Sequence, residues 1–483
     1  LALASPAAAQ GTLRVAIGTT MNTLDPAKTT IGDEYIYVHL VFNGLTRIDT
    51  DLSVKPDLAT SWEASADLKT WTFKLRPGVK FHHGRTLDAD DVVATFNRIL
   101  DPALGSRGRT QLSMVSKVAA VDPLTVRFDL NIPYAGFHEI FGERNLRIVP
   151  KDRLDKLTTE PVGTGPFTMK TWTPGDRMEL VKFPGYFEPG MPKLDGVTLR
   201  LIPEAAARIT SLESGAIDLL WNLPYEAIDK VKKNPDLAVS SVATATWDAV
   251  FLNNSKPPFN DVRVRQAFAA MIDKEALPEI VLFGQGAPTH SPIPPNHAYF
   301  NKSIGFPKPD VAKAKKLLAE AGFPNGLDLK MPVPQEREAR VRLGVTVRDM
   351  VRPAGIRIDV ERVPFASYAA NVSGKAEIYV DGYFARPTID TATHAFFHSG
   401  GSFNSQLWIY KNARVDELLD LARQTVDEGK RKDIFMEFQK ILVETVPGVI
   451  AYNALHVNGV RKSVQGFQSS AMQWLELKAV SLK

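Results

Sequence analysis

The sequence predicts an α/β protein built from more than one domain, and three observations carry that expectation. A chain of 483 residues is too long for one ordinary hydrophobic core, so two or three domains are expected. Residues 197–221 read strand, helix, strand, the order that builds an open α/β sheet. Residues 46–160 hold several strands and one clear helix, the pattern of a compact α+β unit.

The elements follow in order. Leu13-Arg-Val-Ala-Ile17 alternates and stops at Gly18, a strand. Residues 19–26 are a polar loop, and 35–42 form a helix running into the Asn43-Gly44 turn. Residues 46–81 are short strands; Trp71-Thr-Phe-Lys-Leu-Arg76 alternates cleanly before Pro77-Gly78, a hairpin signal. Asp88 or Asp90 caps the next helix, which buries Val92, Val93, Phe96, Ile99 and Leu100. Residues 125–130 alternate again. Gly163-Thr-Gly-Pro-Phe167 is a turn that opens strand-like residues 169–181. Strand 197–202, a helix through Ile209 and Leu212, and strand 216–221 come next.

At the centre, residues 247–252 are apolar or aromatic around one Asp and read as a buried strand. Pro257-Pro258 ends it, Asn260 or Asp261 caps a helix, and Val264, Phe268, Met271 and Ile272 form its stripe. Asp310 caps residues 311–321, with Gly322 at the C-terminal position. Residues 327–331 and 356–360 are strands flanking a helix over 337–350. Two amphipathic helices follow at 414–426 and 430–446, then a buried strand over 449–457.

The net charge of +4 is small for this length and no basic patch stands out, so nucleic-acid binding is not expected. The chain has no cysteine, which excludes a disulfide scaffold, thiolate metal sites, cysteine catalysis and a lipid-modified cysteine within it. Residues 1–10 look like the end of a secretory signal with a cleavage site at Ala7–Ala9, or else a disordered tail. No apolar run approaches the roughly 18 residues of a membrane span, so an exported, soluble chain is expected.

Chemical motifs are sparse. His394 and His398 are four apart and would share a helix face, as metal ligands do; without a nearby third ligand they read equally as ordinary imidazoles, and no metal is expected. Gly163-Thr-Gly-Pro lacks the later glycine of a dinucleotide fingerprint, and Pro166 removes an N–H. No Gly-x-Ser-x-Gly elbow or Walker motif is present. The stretch 379–390, continuing to Trp408, gathers aromatics, one Arg and two acids around Gly and Pro. It suits either a ligand-facing loop or a core strand with a solvated ion pair.

Four blocks carry a family resemblance. They are Leu58-Ala-Thr-Ser-Trp62 with Trp71–Gly84 and Asp90–Phe96; Gly163-Thr-Gly-Pro-Phe167; Asn253–Ala267; and Ala314-Lys-Lys-Leu-Leu-Ala-Glu-Ala-Gly322. On these residues the chain resembles the peptide/nickel-type solute-binding proteins of bacterial ABC importers, family 5. The resemblance implies a two-lobed periplasmic-binding-protein fold (type II, cluster C) with an extra α+β domain inserted in the first lobe. Carried over, residues 1–10 are the signal remnant or tail. Residues 11–45, 161–246 and 455–483 form lobe one, 46–160 the inserted domain, and 247–454 lobe two. Hinge crossings fall near Trp247 and Asn453.

Peptide binders of this family pair the ligand's α-amino group with an acid in a Gly-aromatic loop carrying an Asp-Pro element. Here the loop reads Gly382-Tyr-Phe-Ala-Arg-Pro-Thr-Ile-Asp390, without Asp-Pro-Asp and with Arg386 inside it. Arg386 is therefore the candidate for an anionic ligand group, which a guanidinium grips with two parallel bonds; its alternative is an ion pair with Asp390 or Asp381. Asp390 is the candidate for a cationic or hydroxyl group. By the same resemblance Asn22, Thr164, Trp247, Tyr383, Phe384, Asn404 and Trp408 line the cleft, although both tryptophans suit a lobe core equally. The expected function is a periplasmic receptor that captures a small peptide-like or other polar ligand and delivers it to an inner-membrane permease with its ATPase. It would act as a monomer, without catalysis and without a cofactor. The alternatives are a periplasmic hydrolase and a chaperone-like or signalling peptide binder without transport.

Overall fold

The structure, a computed structural model, describes residues 11–19, 21–29, 34–49, 53–386 and 388–483. The expected signal segment, residues 1–10, lies outside them. The chain divides into two compact units: one runs to Val242 and resumes at His456–Lys483, the other is Ala243–Leu455. Both boundaries fall inside long strands, Leu237–Leu252 and Gly448–Arg461.

In the first unit, Thr12–Ile17 pairs in parallel with Gly196–Leu201 on one side and with Leu219–Leu220 on the other. The helix Ala205–Glu213 connects those two neighbours, so the expected strand–helix–strand order is present. Gly196–Leu201 continues antiparallel to Arg177–Lys182, which pairs with Phe167–Thr173. The expected strand over 169–181 is thus a hairpin. The expected strand over 216–221 shortens to Leu219–Leu220. Gly215 (φ +77°) turns the chain in and Asn222 (φ +60°) turns it out. Leu13, Val15, Leu180, Val197 and Leu199 share one buried cluster.

A second cluster gathers residues between Leu58 and Ile148 together with Ala27 and Leu45. Its sheet is antiparallel, in the order Ala59–Ala64, Thr70–Leu75, Thr125–Leu130, Val115–Asp122. Phe73, Phe96, Phe128, Phe137 and Phe141 meet there edge to face, for example Phe137–Phe141 at 5.0 Å and 86°. That geometry sets a positive ring edge against a negative ring face. The helix Ala89–Leu100 begins with a capping box in which Asp88 and Asp91 each accept the other's backbone N–H, satisfying two donors of its first turn.

In the second unit, Trp247–Leu252 runs antiparallel to Ile378–Tyr383, and Gly286–Pro288 to Tyr452–Ala454. Leu327–Pro334 and Ile356–Val363 pair in parallel through the helix Glu338–Val351. Asp261, Asp310, Asn412 and Asp427 cap the helices that follow them. The central strand begins at Leu237, ten residues before the apolar stretch, because Ser240, Ser241, Thr244 and Thr246 hide its alternation. Among the described residues no helix is long and apolar enough to cross a membrane.

His456 is buried beside Trp221, ring centroids 5.6 Å apart. Neither ring nitrogen has a hydrogen-bond partner among the described residues, and burial pushes its pKa down to about 3. Unfolded histidine takes a proton near pH 6.5, whereas the folded ring stays neutral until about 3. Its contribution is therefore complete above pH 6.5 and lost as pH falls through that window, at about 1.4 kcal/mol per pH unit. His290, held down to about 3 by burial and by Lys274, acts in the same direction. We expect His456→Leu to flatten the pH dependence of urea stability between pH 6 and 4 by one proton relative to the parent. Parallel profiles would refute this.

Candidate functional site

The strand Ile378–Tyr383 and the helix Ile389–Phe397 position the loop between them. Backbone pairing sets Tyr383 opposite Trp247. At the other end Thr388 and Thr391 form a capping box that fixes where the helix begins. Pro387 lies outside the described residues. The half-buried Arg386 guanidinium lies 5.0 Å from the ring centroid of Phe403 and 5.7 Å from that of Phe396. Those two rings stack at 4.5 Å and 5°, and Tyr383 packs edge-on at 4.9 and 5.3 Å. The loop thus seats a planar cation on an aromatic platform, a geometry open to arginine and poorly served by lysine. Phe384 stands 41% exposed beside it.

The neighbouring acids are engaged by other arginines. Arg423 grips Asp390 with Nε to Oδ1 at 2.8 Å and Nη2 to Oδ2 at 3.1 Å. Arg340 donates to Asp248 at 3.0 Å, to Asp381 at 2.6 Å and to the Gly382 carbonyl at 2.9 Å. Tyr452 OH completes Asp248 at 2.9 Å. Burial pushes the Asp381 carboxyl up, and Arg340 partly offsets it. Burial opposes the Arg340 charge, but Asp381 and Asp248 outweigh it and raise the pKa.

Five of the residues expected at the ligand have partners inside the fold. Asp390 is buried in its bidentate pair with Arg423, so its charge is answered inside the fold. Trp247 and Trp408 belong to the aromatic core: Phe251 stacks on Trp408 at 4.0 Å, and the two tryptophans lie 6.1 Å apart at 18°. Asn404 is buried, donating to the His398 and Tyr410 carbonyls at 2.9 and 2.7 Å and accepting the Tyr410 N–H at 2.9 Å; it closes a turn. In the other unit Thr164 is also buried and donates to Asn43, whose amide donates to Asp57. A Cβ on Gly163 would meet the Val41 carbonyl oxygen at 2.1 Å, so glycine there permits a close backbone approach. Asn22 is exposed, its N–H bonded to Glu34. Arg386, Tyr383 and Phe384 remain together; Asn22 and Thr164 are on the other unit.

Several groups escaped the sequence reading. Arg340 sits on a helix recognised only by its period, and its acids come from two distant strands. In the first unit, Trp221 donates to the Gln473 carbonyl at 2.8 Å and packs beside His456. Asn222 and Gln473 both adopt positive φ, +60° and +65°. Such strain gathers at functional sites, yet nothing in sequence marks a non-glycine left-handed residue. Finally, His394 and His398 do have a third partner: Asp420, from the following helix, reaches both imidazoles.

An α/β chain of two units with a cationic, aromatic-backed loop fits the class of binding proteins. Comparisons agree and sharpen this. Residues 53–404 match the family of bacterial extracellular solute-binding proteins, family 5, and the chain belongs to it. It is similar to the glutathione-binding protein GsiB of Escherichia coli (strain K12), 28% identical and covering 96% of this chain and 93% of the relative. Among solved structures it is similar to the periplasmic binding protein AgaA of A. tumefaciens R10 in complex with agropinic acid. That match has a TM-score of 0.85 at 27% identity, over 98% of this chain and 99% of that one. It is likewise similar to the ABC transporter-associated periplasmic binding protein DppA of Helicobacter pylori in complex with the peptide STSA, with a TM-score of 0.86 at 26% identity and 98% of each chain covered. The fold is that of the periplasmic binding proteins, and the chain is an extracytoplasmic solute-binding protein of the ABC-importer type.

Removing Arg340 would leave two carboxylates without their counter-charge. We expect Arg340→Met to destabilise the protein by about 3–5 kcal/mol, read as a lower urea midpoint, with Asp381→Asn added in the same chain recovering part of the loss. An unchanged midpoint would show that the network contributes nothing net.

Proposed function

We propose that this protein captures a small peptide-like ligand bearing a carboxylate, and that Arg386 receives that carboxylate. The observation that carries the reading is the half-buried guanidinium seated on Phe403 and Phe396. Contact with the two rings restricts the guanidinium, so two parallel hydrogen bonds to an anion lose less side-chain freedom. The names of the relatives fit this chemistry: glutathione, agropinic acid and a tetrapeptide all carry carboxyl groups. Tyr383 and Phe384 would flank the ligand; Asp390, held by Arg423, is left out. In this reading residues 46–160, which supply most of one hydrophobic cluster, are an inserted domain. The protein works as a periplasmic monomer and passes its ligand to an ABC permease.

Mass spectrometry of whatever the purified protein releases on denaturation would identify the ligand. Calorimetry with glutathione and a dipeptide panel, each beside its C-terminal amide, tests the contact. A charge-assisted pair is worth about 1.5–3 kcal/mol, so Arg386→Ala should weaken carboxylate ligands by about 10- to 100-fold. Arg386→Lys should fall between. Equal binding of acid and amide, or parent-like affinity in Arg386→Ala, would overturn the assignment.

A further inference from the structure

His394 and His398 stand on successive turns at the end of the helix Ile389–Phe397, their rings stacked at 4.2 Å and 8°. Asp420 comes from the facing helix Ala413–Gln424. His394 Nε2 lies 3.4 Å from Asp420 Oδ1, and His398 Nε2 lies 3.5 Å from Asp420 Oδ2. One ligand atom from each residue falls within 4.8 Å of the other two. An imidazole nitrogen and a carboxylate oxygen that share a tetrahedral zinc ion sit about 3.4 Å apart; each His–Asp separation is of that size, and because the two run to different carboxylate oxygens, a shared ion requires a rotation of the exposed Asp420 side chain.

We propose that His394, His398 and Asp420 bind one divalent transition-metal ion of the zinc, nickel or copper type, clasping the two helices together. Two neutral imidazoles and a carboxylate favour such ions over magnesium or calcium, which prefer all-oxygen shells. Three protein ligands leave coordination positions for water. The site opens to solvent, because the Asp420 side chain is 53% exposed. Two charges flank the site. Asp416, one turn earlier, accepts the N–H and hydroxyl of Ser399; Arg423 grips Asp390 and also acts electrostatically on His394 and Asp420, a positive charge the ion must bind against. Binding at His398 Nε2 moves the ring proton to Nδ1, which now accepts the Gly400 N–H at 3.0 Å. That bond is exposed, so the Gly400 N–H can turn to water at little cost.

The test uses the full chain after chelator treatment, titrated calorimetrically with zinc chloride and with nickel chloride. One ion per chain is expected, with manganese weaker and magnesium without effect. His394→Ala and His398→Ala should each weaken binding at least about tenfold, a change of about 1.4 kcal/mol. Asp420→Asn, at an exposed position, should do so while leaving the far-ultraviolet circular dichroism of the parent intact. His83→Ala, in the other unit, should leave the affinity unchanged. With copper(II), electron paramagnetic resonance should show two coordinating imidazole nitrogens in the parent and one in His394→Ala. No binding up to millimolar ion, or parent-like binding in the His394→Ala, His398→Ala double variant, would overturn the site. Neither outcome touches the Arg386 reading, which is scored with carboxylate ligands in metal-free buffer.

Discussion

Much of the second unit depends on one half-buried arginine. Arg340 ties its own helix to Asp248 on the central strand and to Asp381 and Gly382 on the neighbouring strand. Two carboxylates this close repel one another in a low dielectric unless a shared cation and further donors answer them. Tyr452, Ser373 and the Gly382 N–H supply those donors. The arrangement also dictates a residue type, because a Cβ on Gly382 would fall 1.8 Å from the Asp248 carboxylate. Glycine at 382 is therefore a condition of the network, and Tyr383 to Arg386 leave the strand immediately after it.

Behind that loop the aromatic core does a different job. Trp408, Phe251, Trp247 and Phe397 stack into a solid body, and Gly448 leaves room for the Trp408 ring, which a Cβ would meet at 2.0 Å. Phe396 and Phe403 extend this body outward and carry Arg386. One continuous aromatic packing thus serves first as core and then as platform. The gradient from buried Trp408 to exposed Phe384 separates residues that hold the fold from those that can meet a ligand.

Local signals read well wherever one residue's neighbours in sequence are also its neighbours in space. Asp88, Asp261 and Asp310 are caps because a side-chain oxygen reaches an N–H two or three residues on. The alternation of residues 71–75 survives as a half-buried strand for the same reason. Sequence says less where partners come from far away. Asp390, read as a candidate for a ligand group or as an ion-pair partner of Arg386, is gripped by Arg423, 33 positions later. Asp420 could not be matched to His394 and His398 until two helices were packed together.

The sequence alone determined the α/β class, the caps, the turns and the family, since these rest on short-range periodicity and on blocks of adjacent residues. It also singled out Arg386 within its loop. Only the tertiary structure decided which charges are answered inside the fold, which aromatics are core and which form a platform, and which carboxylate completes a histidine pair. Those outcomes depend on pairings across long stretches of chain in a medium of low dielectric. There the cost of an unpaired charge or an unfilled cavity is settled by geometry that no local pattern records.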